Sequence, residues 1–165
     1  SDRGAAALLR AEEVEEAWLA GCDELFVSGY ALLREPAAGA AARAVSLARA
    51  AGARVSVDLA PWSVLREAGE DAVRARLLAL APDVVFANED EERALGGPLS
   101  GAAWILKRGA RGCSFAGDER AALPTEVVDT TGAGDALAAG YLVGGPELAL
   151  EAAARCVAAV GSMPR

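Results

Sequence analysis

At 165 residues the chain has the length of one domain, enough to bury about 70% of its unfolded surface, and its 53% hydrophobic content excludes a disordered polymer. A formal net charge of −8 argues against nucleic acid as a partner, because a phosphate backbone demands clustered Lys and Arg. Histidine is absent, which removes Ser-His-Asp and Cys-His catalysis and every His-based zinc site, and leaves proton transfer to a carboxylate, a Tyr, a Cys or Lys107, the single lysine.

The chain opens on Ser1-Asp2-Arg3 without Met, as a segment cut from something longer would. Residues 12–19 read as a short acidic helix with Val14, Ala17 and Trp18 on an apolar side. ELFVS at 24–28 reads as a buried strand ended by Gly29. A small-residue helix is expected over 36–51, opened by Pro36 and closed by Gly52, and RVSVD at 54–58 is the next strand. Together they make one βαβ unit, a parallel pair with a right-handed crossover. Residues 65–81 are helical with a break near Gly69, Pro82 stops them, and DVVFA at 83–87 is the third strand.

That strand runs into Asn88-Glu89-Asp90-Glu91-Glu92, a short acidic helix start for which Asn88 is a natural cap. After a turn at 96–101, AWILK at 103–107 forms a strand, Gly109 and Gly112 a hairpin turn, and CSFA at 113–116 an antiparallel return, with a third strand at 120–123. Helix formers run from Ala136, Gly144, Gly145 and Pro146 break the chain, and a last alanine-rich helix covers 147–160. Cys22, Cys113 and Cys156 are odd in number and far apart, the pattern of free thiols in a reducing compartment. No apolar run reaches 18 residues and no signal-peptide pattern opens the chain, so the expectation is a cytoplasmic protein without a membrane partner.

Chemistry concentrates in DTTGAGDALAAGY, residues 129–141. Gly132, Ala133 and Gly134 would let a ligand come close to the backbone where a helix begins. The first N–H groups of a helix have no intrahelical partner, and its dipole favours an anion there, most often phosphate. Asp135 is awkward in that place, since a carboxylate repels an anion. A base that takes a proton from an attacking hydroxyl would justify it, and the bland alternative is that Asp129 or Asp135 caps the helix. No Lys follows the glycines as a Walker A loop requires, and Leu137 stands where a dinucleotide fingerprint needs Gly.

The string resembles the signature of the ribokinase-like (PfkB-type) carbohydrate kinases, D-T-T-G-A-G-D-x-[FL]-x-A-G. The resemblance implies an α/β, ribokinase-like three-layer sandwich, a partly parallel sheet flanked by helices, here truncated at the N-terminus. It implies that Gly132, Ala133 and Gly134 form an anion hole and that Asp135 is the general base. Asn88 and Glu91 match the family's N-x-x-E motif, which helps place Mg²⁺ and its waters beside the nucleotide. Lys107, Gly109 and Gly112 match K/T-x-G-x-x-G, which lies along the nucleotide. Asp129 and Thr131 match residues that often bind a monovalent cation, K⁺ by expectation. DLAPWS, at 58–63, resembles a family turn but departs from it at Leu59 and Ala60, so no role is carried over.

The resemblance runs over nearly the whole chain but covers the later half of a family member, without the G-G-x-x-x-N sugar-binding stretch and the β-lid. It implies ATP-dependent phosphorylation of a primary hydroxyl on a sugar or sugar-like substrate, with ATP and Mg²⁺ bound and an uncovered sheet edge that favours a homodimer. Fructose, ribose, ketodeoxygluconate-like acids and nucleosides are all open as acceptors. Two other classes stay open: a nucleotide-binding fragment without catalysis, and an inert α/β regulatory domain.

Overall fold

The computed structural model describes residues 8–59 and 62–162, and the chain falls into two compact units, Ser1–Trp104 and Ile105–Arg165. In the first, β1 (Glu24–Ser28), β2 (Arg54–Asp58) and β3 (Val84–Asn88) pair side by side in parallel, Val27 opposite Val57 and Val57 opposite Val85. Helix α1 (Ala37–Ala50) joins β1 to β2, and α2 (Trp62–Ala68) and α3 (Glu70–Leu80) join β2 to β3. Val84, Val85, Phe86 and Ala87 are all fully buried, as expected of a parallel strand covered on both faces. On the helices, α1 buries Ala40, Ala41, Val45 and Ala48 beside β1 and β2, and α3 buries Val73 and Leu77 one turn apart.

Asp83 ties this unit together. One of its carboxylate oxygens accepts from the Val55 amide and from Arg49, both at 2.7 Å. Partial burial works to raise the Asp83 pKa, but these two donors outweigh it and hold the carboxyl below its ordinary range.

Two expectations here need correction. Residues 12–19 form two 3-10 turns, Ala11–Glu13 and Glu16–Trp18, with Val14 and Glu15 extended between them. A continuous helix would stack Glu12 on Glu15 and Glu16, and like charges at that spacing destabilise it. β1 is also less buried than its composition suggests, with Phe26 41% exposed, because among the described residues it pairs only with β2. The break at Gly69 and the stop before Pro82 are both present, with Gly69 at φ 89° and Ala81 ending α3 in the left-handed region. Ala60 and Pro61 of the DLAPWS stretch lie outside the described residues.

β4 (Ala103–Lys107) ends inside the second unit, where it pairs antiparallel with β5 (Cys113–Phe115), Lys107 opposite Cys113. β6 (Asp118–Arg120) then returns along β5. The third strand was expected at 120–123, but Ala116 and Gly117 both adopt positive φ, the two-residue hairpin pattern, and start the return earlier. The last helix, α5 (Ala133–Val157), begins three residues before Ala136 and is interrupted by non-helical Gly144 and Gly145 ahead of Pro146. Gly140 permits the fold-back: a Cβ on it would stand 2.5 Å from the Leu148 carbonyl oxygen. Phe115 of β5 stacks on Tyr141 of α5 at 5.6 Å. Among the described residues no helix is long and apolar enough to cross a membrane, and Cys22, Cys113 and Cys156 are free thiols.

Candidate active site

The polar approach to α5 is held in place at both ends. Asp129 accepts the Thr131 amide at 2.9 Å, a local Asx turn, and the Gly161 amide at 3.0 Å on its other oxygen. The Gly161 bond, then the Thr131 bond, hold the Asp129 carboxyl below its ordinary range. The Val157 carbonyl accepts the amides of Val128 (2.8 Å) and Asp129 (3.2 Å), and the Cys156 thiol donates to the Thr131 carbonyl at 3.4 Å. The end of α5 thus holds the segment that leads into its own beginning.

Gly132 is the N-cap of α5 at φ 80° and offers no side-chain cap. A Cβ there would stand 2.7 Å from Ser162 Cβ, so glycine serves both the backbone conformation and the close approach. The Ala133 amide bonds to Thr130 and the Ala136 amide to Gly132, but among the described residues the amides of Gly132, Gly134 and Asp135 have no acceptor. Open amides and the positive end of a helix dipole make this turn receptive to an anion. Asp135 is exposed, and no hydrogen bond or ion pair among the described residues engages its carboxylate. It does not cap α5, and neither does Asp129, whose bonds go to Thr131 and Gly161.

Lys107 ends β4 beside the same turn. Its Nζ lies 3.5 Å from the point where a Cβ on Gly134 would stand. Beyond it, Gly109–Arg111 form a 3-10 turn in place of a simple hairpin loop, and the Arg108 amide closes on the Gly112 carbonyl. Gly112 has φ 100°, and a Cβ there would overlap the Arg120 carbonyl oxygen at 2.0 Å. The passage of residues 120–122 over it is sufficient reason for a glycine. Gly109 has positive φ and open space around it.

Asn88 and Glu91 belong to the first unit. Asn88 caps α4 (Glu89–Ala94), accepting the amides of Asp90 (3.0 Å) and Glu91 (2.9 Å). Glu91, 4% exposed, returns the bond: its two oxygens accept the Asn88 amide N–H and Nδ2, each at 2.8 Å. This is a complete capping box. Among the described residues no group of three or more Cys, Asp or Glu is gathered to hold a metal. The donor set suits Mg²⁺ bound through its waters, because the amide oxygen of Asn88 and the carboxylate of Glu91 are the hard oxygen groups that this ion prefers. The groove of about 300 Å³ lined by Arg66, Glu70, Asp90, Arg93 and Ala94 contains none of the expected site residues.

Sequence reading missed Gly140, Cys156 and the 161–162 segment. Gly140 alone carried a signal, since glycine inside a helix is costly and marks a close crossing.

The sequence model of the pfkB family carbohydrate kinases matches residues 1–164. A 5-dehydro-2-deoxygluconokinase of Bacillus licheniformis is 32% identical, over 82% of this chain and 48% of its own length. Among solved structures, an adenosine kinase from Sinorhizobium meliloti is similar at a TM-score of 0.81 and 25% identity, over 94% of this chain and 55% of that one. An E. coli protein assigned as a Ribokinase II, in complex with ATP and Mg²⁺, is similar at a TM-score of 0.73 and 29% identity, over 94% and 59%. The chain therefore spans about half the length of the relatives it matches. Its α/β fold is that of the ribokinase-like kinases, and with almost every residue inside the match it belongs to the pfkB family of carbohydrate kinases.

Proposed function

We propose that this chain supplies the phosphate-binding and catalytic part of an ATP-dependent kinase that phosphorylates a primary hydroxyl of a sugar or sugar-like substrate. The observation that carries the reading is the pairing of three amides without an acceptor among the described residues, those of Gly132, Gly134 and Asp135, with the exposed Asp135 carboxylate, which no described residue engages. In this reading the Gly132-Ala133-Gly134 turn binds the transferring phosphoryl group and stabilises the charge that develops on it. Asp135 accepts the proton of the acceptor hydroxyl as its oxygen attacks the γ-phosphorus in line. A carboxylate serves because the chain has no histidine.

Lys107, Gly109 and Gly112 lie along the nucleotide. Asn88 and Glu91 hold the waters of Mg²⁺, which when bound neutralises phosphate charge. Asp129 and Thr131 are the place for K⁺, and the clasp that Asp129 makes with Thr131 and Gly161 orders that bend. The 32% relative is a 5-dehydro-2-deoxygluconokinase, so a ketodeoxy sugar acid is the first acceptor to try. The protein acts away from nucleic acid and membranes, in the cytoplasm, and associates as a homodimer.

The test is Asp135→Asn in the full-length enzyme. Phosphoryl transfer should fall by about 10²–10⁴-fold with nucleotide affinity and fold retained. Activity within about threefold of the parent would remove Asp135 from the role of base.

A further inference from the structure

Lys107 is the one lysine among sixteen basic residues, and its side chain lies along the start of α5. Nζ is 3.5 Å, and Cδ 3.9 Å, from the place a Cβ on Gly134 would take. Gly134 has ordinary helical backbone angles, so its φ does not demand glycine. The ammonium therefore lies beside the turn whose amides at 132, 134 and 135 have no acceptor among the described residues.

The chemistry of that arrangement selects a phosphoryl oxygen. A compact ammonium can share one tetrahedral oxygen with backbone amides, whereas a guanidinium fork wants two oxygens in its plane. Asp135 stands in the same turn and repels any anion held there, so a neighbouring cation is needed to keep polyphosphate in place. Cys113, opposite Lys107 in the β4–β5 register, adds no negative charge beside the ammonium, because burial pushes its thiol up to about 11 and keeps it neutral.

We propose that Lys107 is a catalytic residue that touches the transferring phosphoryl group itself, adding a point charge to the amides of the 132–135 turn, instead of only gripping the nucleotide. The inference rests on the kinase reading above. As the acceptor oxygen bonds to the γ-phosphorus, the bond from that phosphorus to the β,γ-bridging oxygen breaks, and ADP leaves with the electron pair. The hydroxyl proton goes to Asp135, and Lys107 keeps its own proton throughout.

With one lysine in the chain, [13Cε]lysine labelling yields a single ε-methylene signal, and its titration reads the ammonium. ATP and tripolyphosphate should raise that pKa by about one unit, a roughly tenfold tighter hold on the proton, and adenosine should leave it unchanged. ATP that shifts backbone amides elsewhere while the ε-methylene stays still would overturn the role of Lys107 alone. ATP that shifts nothing would overturn the kinase reading and this inference together. In the full-length enzyme, Lys107→Met should lower kcat by about 10²–10³-fold with KM for ATP within about threefold, and Lys107→Arg should recover part of the loss. A rise in KM with kcat unchanged would assign Lys107 to ground-state nucleotide binding and sink the proposal. Should the Met variant not fold, the ε-methylene titration of the unaltered chain still decides.

Discussion

Gly132 has a left-handed φ of 80° and Ser162 within 2.7 Å of its absent Cβ, whereas Gly134, in the same turn, has helical angles and, among the described residues, only the Lys107 side chain within 4 Å of its absent Cβ. The two should therefore respond differently to alanine. Gly132→Ala should lose about 1–3 kcal/mol in urea unfolding, since the strained φ and the backbone of Ser162 both oppose it. Gly134→Ala should hold stability within about 1 kcal/mol, because alanine is the better helix former. Equal losses at both positions would mean that the turn is less sharply defined than its geometry. Asp129 makes a second residue-scale test. Its folded pKa is depressed below the unfolded value of about 3.9, so its clasp is present above that pH and is lost as pH falls through the folded pKa. The Thr131 and Gly161 amide resonances should titrate together, with a midpoint below about 3.9, and should lose that step in Asp129→Asn. Unlinked midpoints would show that the carboxylate does not join the two amides.

The short helix α4 carries two roles that one substitution can separate. Its cap uses both oxygens of Glu91 as acceptors for Asn88 donors. Glu91→Gln would turn an amide NH₂ toward one of those donors, at a cost of about 1–3 kcal/mol. If Glu91 also holds magnesium-bound water, the same change should raise the Mg²⁺ concentration needed for half-maximal activity of the full-length enzyme. Glu89→Gln, on the same turn but outside the Asn88–Glu91 box, should leave that requirement as it is. An equal rise from both would mean that the acids act only as diffuse negative charge. For α5, the approach to its start depends on its end, because Cys156, Val157 and, just beyond the helix, Gly161 hold residues 128–131.

At the scale of the whole molecule, the chain covers 48% of the length of the B. licheniformis relative. Orienting an acceptor hydroxyl can account for roughly 7–11 kcal/mol of a barrier, and no acceptor-binding stretch is recognisable in these 165 residues. The isolated chain is therefore expected to bind ATP weakly and to turn over no sugar near the ordinary kinase rate of about 1–100 s⁻¹. A panel of hexoses, pentoses, sugar acids and nucleosides with Mg-ATP and K⁺ tests this. Turnover in that range on any of them would show that these residues suffice.

Local pattern alone determined β2 and β4 to the residue, the break at Gly69, the Asn88 cap and the position of the glycine turn at 132–134. Each of these depends on nearby residues: alternation, a helix breaker, an Asx side chain, or a positive φ that only glycine takes without strain. The tertiary structure decided what these features meet. It set Ser162 against Gly132, the Cys156 thiol on the Thr131 carbonyl, residues 120–122 across Gly112, and the Lys107 ammonium beside Gly134. Those partners are far apart along the chain, and periodicity over one or two turns has no information about which distant segment will pass within van der Waals contact. The glycine turn could thus be located from its motif, but the contacts that support it, and the Lys107 side chain beside it, appear only once strand, loop and helix end are packed together.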